Sequence, residues 1–209
     1  MKTEVRTTSD YESVSAAGNF DVKLVSGKEG KITLDGEENL MQYIITEVKK
    51  GKLTIKVKKN VSIRITKKFV VTVPYRDIDI VSLAGSGDIS NEGTIKAKDF
   101  KLSLAGSGDI DLNIDVTSVK TSIAGSGNIK LNGKSSSLIC SIAGSGDVSA
   151  YGLSTKSTVV SVAGSGNVKT TVSESIKARV AGSGSIYYKG KPDKIDTKSF
   201  GSGSVKDRN

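Results

Sequence analysis

The tetrapeptide Ala84-Gly85-Ser86-Gly87 recurs along the chain and decides its fold. Later copies have their first glycine at Gly106, Gly125, Gly144, Gly164, Gly182 and Gly201, the last of these preceded by phenylalanine instead of alanine. The intervals between successive first glycines are 21, 19, 19, 20, 18 and 19 residues. Self-similarity at so regular a period is typical of a solenoid or another array of stacked repeats.

Each copy predicts a bend between two short strands. Glycine tolerates positive φ and the close approach of another backbone, and Asp or Asn can hydrogen-bond to backbone at a bend. Apolar and polar residues alternate before the corners, as in 138–142, and after them, as in 110–114, which is typical of strands with one buried face. The residues that follow the second glycine are Asp88, Asp109, Asn128, Asp147, Asn167, Ser185 and Ser204.

We expect the repeats to stack, because a unit of about 20 residues cannot bury its own apolar face. Stacking at a strand spacing of about 4.8 Å would align equivalent residues in columns. The interior column is predicted to contain Ile123, Ile142 and Val162, and an exterior column Ser122, Ser141 and Ser161. The sequence therefore predicts an all-β fold, a right-handed parallel β-helix or solenoid with about six to seven coils. An antiparallel sandwich or barrel is the alternative.

Residues 1–75 lack the repeat and predict a β-rich N-terminal cap region, followed by the solenoid of residues 76–209. Capping is needed because a bare terminal coil offers unpaired strand edges to other chains. The last period, residues 186–200, departs from the repeat and is expected to serve as the cap of the other end.

Within the cap region, strands around 20–24 and 32–34 are predicted to form a hairpin across a turn at 26–30. A helical turn near 39–41 is predicted to precede a strand. Alternation predicts further strands at 53–57 and 61–65, and 69–73 is rich in β-branched residues. Pro74 is expected at a strand end or bend, because proline cannot donate a ladder hydrogen bond.

The composition of the chain excludes several classes of function. The chain has 209 residues, of which 36% are hydrophobic, and this fits one or two globular domains. No apolar run is long enough for a membrane span, and no hydrophobic segment of a signal peptide follows residues 1–6. The absence of histidine removes His-based triads and most zinc chemistry. The lone Cys140 cannot form an intrachain disulfide and is predicted to be a small buried hydrophobe.

The net charge of +9 has one local concentration, Lys49–Arg76, which contains ten basic residues and no acidic one. The simplest interpretation is a solvated strand face; contact of Lys56 and Lys58 with phosphate or acidic polysaccharide is the alternative. Only Phe69 and Tyr75 accompany these charges as aromatics that bases could stack on, so nucleic acid is not a predicted partner.

Neither a metal site nor a catalytic site is predicted. Asp88, Asp109 and Asp147 suggest calcium, but Asn or Ser occupies the same position in the other repeats, so turn formation is the favoured role. Asp109 and Asp111 could act as a pair of carboxylates, yet this spacing is common on any solvated strand. Tyr187-Tyr188 is the only adjacent aromatic pair, and alternation would send the two rings to opposite faces.

Four segments carry a family resemblance. Residues 17–24, 36–40 and 51–55, together with 71–74 before the repeated Gly-Ser-Gly-Asp corners, resemble the putative auto-transporter adhesin head GIN domain family. This resemblance implies a β-solenoid protein of Bacteroidetes-type bacteria that is exported to the periplasm, outer membrane or cell surface and is often lipid-anchored. It supplies no catalytic or binding residue.

These observations predict a non-enzymatic exported β-solenoid that acts as an adhesin or cell-surface binding module and requires no cofactor. A surface glycan or a protein is the expected partner, since a regular repeated face suits many weak contacts. A structural envelope scaffold and a carbohydrate-active β-helix protein are the alternatives. The sequence does not predict the oligomeric state.

Overall fold

The computed structural model describes all 209 residues, and nearly all of its regular structure is β-strand. The strands, in chain order, are β1 Lys2–Thr7, β2 Ser13–Gly18, β3 Asp21–Ser26, β4 Lys31–Gly36, β5 Ile44–Lys49, β6 Lys52–Val57, β7 Val70–Tyr75, β8 Ile80–Gly85, β9 Ile89–Glu92, β10 Ile95–Gly106, β11 Ile110–Gly125, β12 Ile129–Gly144, β13 Val148–Gly164, β14 Val168–Gly182, β15 Ser185–Lys189, β16 Lys194–Phe200 and β17 Ser204–Asp207. One short helix, α1, spans Glu38–Met41. Stacked parallel strands form about 7 turns, which confirms the predicted parallel β-solenoid.

The Gly-Ser-Gly tripeptides form the corners between strands. Ser126 and Gly127 both donate their N–H groups to the carbonyl of Gly106, one turn earlier, at 2.9 and 3.0 Å. Gly125 has a φ of 134°, and a Cβ added there would lie 2.4 Å from the carbonyl oxygen of Gly106. A Cβ on Gly127 would lie 2.0 Å from the carbonyl oxygen of Gly108. Stacked corners therefore have room for backbone alone.

The predicted columns are present in the stack. The interior residues Ile123, Ile142 and Val162 are 2%, 3% and 1% exposed, and they lie in register on neighbouring turns. Ser122, Ser141 and Ser161 share the same register and point outward. One continuous core of 48 buried residues runs from Tyr11 to Tyr188.

The N-terminal strands join the stack out of sequence order. Strand β2 is parallel to β6 on one side and to β8 on the other, while β3 is parallel to β7 and β9. The turn formed by β2 and β3 is thus inserted between the turn of β6 and β7 and the first turn of the glycine repeat. Gly18 is the register partner of Gly85, so residues 17–20 form a corner as well.

The hairpin predicted for residues 20–34 is wrong. Strand β4 pairs antiparallel with β1 and β7, and β7 separates it from β3. Both edges of β3 are occupied by parallel neighbours, because this arrangement places Val22 and Leu24 in the interior columns. The predicted helical turn followed by a strand is confirmed as α1 and β5.

The strand predicted at 61–65 is also wrong. Its alternation places Ile63 and Ile65 against the core, but the segment has no partner in the sheet. Just beyond it, the Glu37 carboxylate accepts hydrogen bonds from the N–H groups of Thr66 and Lys67 at 2.8 and 3.2 Å. These bonds to a side chain take the place of bonds to a neighbouring strand. The strand predicted at 53–57 is confirmed as β6. Most of the β-branched run 69–73 lies in β7, and Pro74 lies next to the end of that strand.

The two ends of the stack differ. At the N-terminal end, β4 and β5 pair antiparallel with the outermost turn, and β1 pairs with β4. At the other end, β16 pairs only with β14, and all seven of its residues are exposed. Its charged residues Lys194, Asp196 and Lys198 discourage pairing with another strand. The division into residues 1–75 and 76–209 stays a prediction; its boundary falls between β7 and β8.

Candidate functional site

Two outer faces of the solenoid meet at the Gly-Ser-Gly corners. We name the face that follows each corner the Asx face; it contains the outward side chains three, five and seven residues after the first glycine. The face that precedes each corner is the Ala/Ser face, formed by the outward side chains one, three and five residues before that glycine. The two faces differ in side-chain size and charge.

The corner residues of the Asx face form a hydrogen-bonded column. Asp109 Oδ1 accepts the backbone N–H of Asn128 at 2.9 Å and also the Asn128 side-chain amide at 2.9 Å. Asp147 Oδ1 accepts the backbone N–H of Asn167 at 2.6 Å, and Asn167 Oδ1 accepts that of Ser185 at 3.0 Å. These contacts support the turn-forming role. No group of three or more Cys, Asp and Glu residues that could hold a metal ion is present.

Each Asp of this column uses only one carboxylate oxygen for the corner. The Oδ2 atoms of Asp109 and Asp147 have no hydrogen-bond partner in the protein, and both side chains are exposed. An exposed carboxylate oxygen can accept hydrogen bonds from a ligand hydroxyl. The Asx face therefore repeats one available acceptor at several turns.

The Ala/Ser face presents a longer serine column than predicted. Ser15, Ser82 and Ser103 extend the column of Ser122, Ser141 and Ser161, and Arg179 ends it. The corner alanines form a parallel column beside the serines. These small side chains offer a flat surface whose larger apolar residues are Ile139 and Val159, 39% and 41% exposed.

A groove of about 430 Å³ runs along the Asx face between Asp109 and Lys169. A second groove of about 340 Å³ continues it toward the C-terminal end, and the two share Asp147, Asn167 and Lys169. The second groove is also lined by Tyr151, Tyr187 and Arg208. This concave, mixed polar and aromatic surface is the candidate binding site.

Two tyrosines and three cations form what we call the tyrosine cluster: Tyr151, Tyr187, Lys169, Lys189 and Arg208. The Lys189 Nζ lies 4.8 Å from the Tyr151 ring centroid, and the Arg208 Cζ lies 5.0 Å from that of Tyr187. Lys169 is the register partner of Tyr187 on the neighbouring turn. Partial burial raises the pKa of Tyr151, and the nearby Arg208 charge opposes that rise.

Alternation separates Tyr187 from Tyr188, as predicted. Tyr188 is 8% exposed and belongs to the core, whereas Tyr187 points outward. Sequence reasoning missed Tyr151, which is 36 residues from Tyr187. A signal was present: Tyr151 lies seven residues after Gly144, and Tyr187 lies five residues after Gly182. Odd offsets from the corner glycine mark outward positions of one face.

The carboxylate pair considered for catalysis is engaged in structural contacts. Asp109 binds Asn128 at the corner, and the Asp111 Oδ2 lies 2.8 Å from Lys130 Nζ.

The basic stretch 49–76 is partly neutralised by acidic residues from outside it. Glu47 contacts both Lys49 and Lys56, whose hydrogen bonds hold its pKa below the usual value. Lys58 lies one residue beyond the end of β6.

Cys140 is 1% exposed in the core, which confirms its predicted burial. Burial raises the pKa of its thiol to about 11, although a hydrogen bond with Thr121 opposes the rise. A thiol held neutral at physiological pH is a poor nucleophile.

No helix of the structure is long and apolar enough to cross a membrane.

Comparisons with solved structures identify the same architecture. The chain matches a putative adhesin from Bacteroides fragilis with a TM-score of 0.95 and 23% identity, over 99% of this chain and 96% of that one. A putative lipid binding protein from Parabacteroides distasonis matches with a TM-score of 0.81 and 25% identity, over 100% and 96%. A putative adhesin from Parabacteroides merdae matches with a TM-score of 0.76 and 22% identity, over 100% and 96%.

A search of curated proteins finds no match. The model of the family described as "Putative auto-transporter adhesin, head GIN domain" matches residues 10–192, which is most of the chain. The matched range includes the inserted turn of β2 and β3, the glycine corners as far as the one that begins at Gly182, and most of the tyrosine cluster. The chain therefore belongs to the putative auto-transporter adhesin, head GIN domain family.

Proposed function

We propose that this chain is a non-enzymatic, exported adhesin module that binds a surface saccharide in the Asx-face groove. The observation that carries the proposal is the groove in which Tyr151 and Tyr187 lie beside Asp147 and Asn167. All of these residues belong to the stretch 76–209, which we propose as the binding solenoid, with residues 1–75 as its N-terminal cap region.

The chemistry of this groove suits a sugar. A tyrosine side chain offers an apolar ring against which the C–H face of a pyranose can pack, together with a hydroxyl group. The free Oδ2 of Asp147 can accept a hydrogen bond from a sugar hydroxyl. A concave site with a few placed polar groups is the usual form of a ligand site.

The adjoining groove repeats the same acceptors along the stack. Asp109 and Asp147 lie two turns apart and present equivalent Oδ2 atoms. Neighbouring strands are about 4.8 Å apart, so a saccharide chain that lies along the stack meets similar groups repeatedly. Repeated weak contacts raise avidity without a deep pocket. Family membership and the adhesin names of the matching structures support an exported, surface-located role.

Glycan-array binding of the purified chain tests this proposal. We expect the wild type to bind a subset of saccharides, and the double variant Tyr151→Ala/Tyr187→Ala to lose at least about tenfold in affinity, equivalent to about 1.4 kcal/mol. Lys23→Ala is the matched control, because Lys23 occupies the Tyr187 column far from the cluster and pairs with Glu92.

Thermal melts should show that both variants fold. The proposal is contradicted if the wild type binds no saccharide, or if the double variant binds as well as the control. Release of reducing sugar from a polysaccharide panel would instead favour a carbohydrate-active protein.

A further inference from the structure

The cations of the tyrosine cluster lack acidic partners. Lys169, Lys189 and Arg208 form none of the ten ion pairs of the molecule, and neither does the neighbouring Lys206. Elsewhere on the Asx face, Lys130 pairs with Asp111. The C-terminal end of this face therefore carries positive charge that the protein itself leaves unneutralised.

These cations are held close to the groove. Lys189 and Arg208 lie over the two tyrosine rings, and cation–π contacts favour these positions. The backbone N–H of Arg208 donates to the Tyr188 carbonyl at 2.8 Å. The Asn209 side chain exchanges two hydrogen bonds with Gly190, at 2.8 and 2.7 Å. Arg208 is thus fixed to the last turns of the stack.

Charge within the second groove is unbalanced. Among its six lining residues, Lys169 and Arg208 oppose the single carboxylate of Asp147. Lys189 adds a further cation above the Tyr151 ring. Arginine presents a planar set of donors that matches the two oxygens of a carboxylate or sulfate group.

We infer that the saccharide bound by this site carries an acidic group, a carboxylate or a sulfate, and that Lys169 and Arg208 contact it. This inference rests on the proposed function. The tyrosines supply contact with the sugar ring, and the two cations select charged over neutral sugars. Asp147 repels an anion on its own side of the groove and so sets the orientation of the sugar.

Calorimetric titration with matched oligosaccharides tests the inference. One pair is an oligogalacturonate and its neutral methyl ester; the other is a sulfated galactan oligosaccharide and its desulfated form. We expect the protein to bind at least one acidic member roughly tenfold more tightly than its neutral partner. The preference should shrink as salt rises from 50 to 500 mM, because the electrostatic screening length becomes shorter by a factor on the order of three. The pair that shows the preference identifies the acidic group.

Variants separate the two roles. Lys169→Gln/Arg208→Gln should abolish the preference for the acidic member and retain binding of the neutral one. Lys23→Gln, which changes the same column at an ion-paired lysine outside both grooves, should keep the preference.

Four results would overturn the inference. Equal affinity for acidic and neutral members would do so while leaving the proposed function intact, and absence of binding to any saccharide would remove both. A preference that survives in Lys169→Gln/Arg208→Gln would show that other residues recognise the charge. Binding to phosphatidylglycerol vesicles in place of acidic oligosaccharides would identify a lipid surface as the partner.

Discussion

The corner at residues 105–108 and the corner at residues 17–20 follow the same path but rest on different neighbours. A Cβ on Gly108 would lie 2.0 Å from the carbonyl oxygen of Gly87 on the preceding turn. At the earlier corner Phe20 occupies the equivalent position, and its ring packs against Phe69 at a centroid distance of 6.4 Å. The nearest atoms to a Cβ on Gly18 belong to side chains of Phe20 and Val57, not to backbone.

The difference shows what the repeated glycines are for. Between β6 and β7 the chain makes a long excursion over residues 58–69, so no tight corner lies beneath Phe20. The second glycine is required where one corner stacks on another, and a large apolar residue replaces it where side chains fill the space. The repeated glycines therefore indicate close backbone contact between stacked turns as well as a bend within each turn.

The largest effect is expected from making the first corner resemble the others. Phe20→Gly should lower the free energy of unfolding by about 3–5 kcal/mol, because it removes a ring that is 2% exposed and leaves a cavity against Phe69. Asn19→Ser, which introduces the repeat's middle residue at an exposed position, should change it by less than about 0.5 kcal/mol. Denaturant unfolding measures both. A stable Phe20→Gly variant would show that glycine suits either corner.

The converse change tests a stacked corner. Gly127→Ala should lower the free energy of unfolding by about 3 kcal/mol, since its Cβ would lie 2.0 Å from the Gly108 carbonyl oxygen and the turns would have to separate. Ser126→Ala, next to it and exposed, is the control and should be nearly neutral. Equal stability of the two variants, measured by denaturant unfolding, would contradict backbone-limited stacking.

A smaller effect distinguishes the Asx contacts of the two corners. Asp109→Ala should cost about 1 kcal/mol, because the N–H of Asn128 loses an acceptor at 2.9 Å. Asp109→Asn keeps the acceptor oxygen and should restore most of that loss. At the first corner Asp21 accepts from Asp88 N–H at 3.3 Å, so Asp21→Ala should cost less. Thermal melts of the three variants would reveal the order, and a larger loss for Asp21→Ala would contradict it.

The glycine solenoid could be predicted because equivalent residues recur at a nearly constant interval. Ile123, Ile142 and Val162 could be aligned from the corner positions alone. The turn of β2 and β3 could not, because Gly18 pairs with Gly85 across 67 residues and Phe20 disguises its corner. Local alternation around β3 and β4 is equally compatible with a hairpin, and only the competing parallel partners exclude it.

The candidate site was hidden for a related reason. Tyr151 and Tyr187 lie on different strands, and a single outward aromatic residue in an alternating pattern does not indicate a binding site. The two tyrosines belong to different turns of the solenoid but share one outer face. Arg208, from a further turn, lines the same groove. Reading each residue by its offset from the corner glycine would have placed all three on the Asx face. The cation–π contacts depend on side-chain conformation, which the sequence pattern does not specify.

Backbone amide NMR during titration with the acidic oligosaccharide of the two matched pairs that binds more tightly, the oligogalacturonate or the sulfated galactan, tests the central claim most directly. The Asx-face groove predicts shifts concentrated at Tyr151, Lys169, Tyr187 and Arg208, with the serine column of the Ala/Ser face unchanged. Shifts that instead follow Ser122 and Ser141, or that are absent at saturating saccharide, would contradict the assignment of this groove as the binding site.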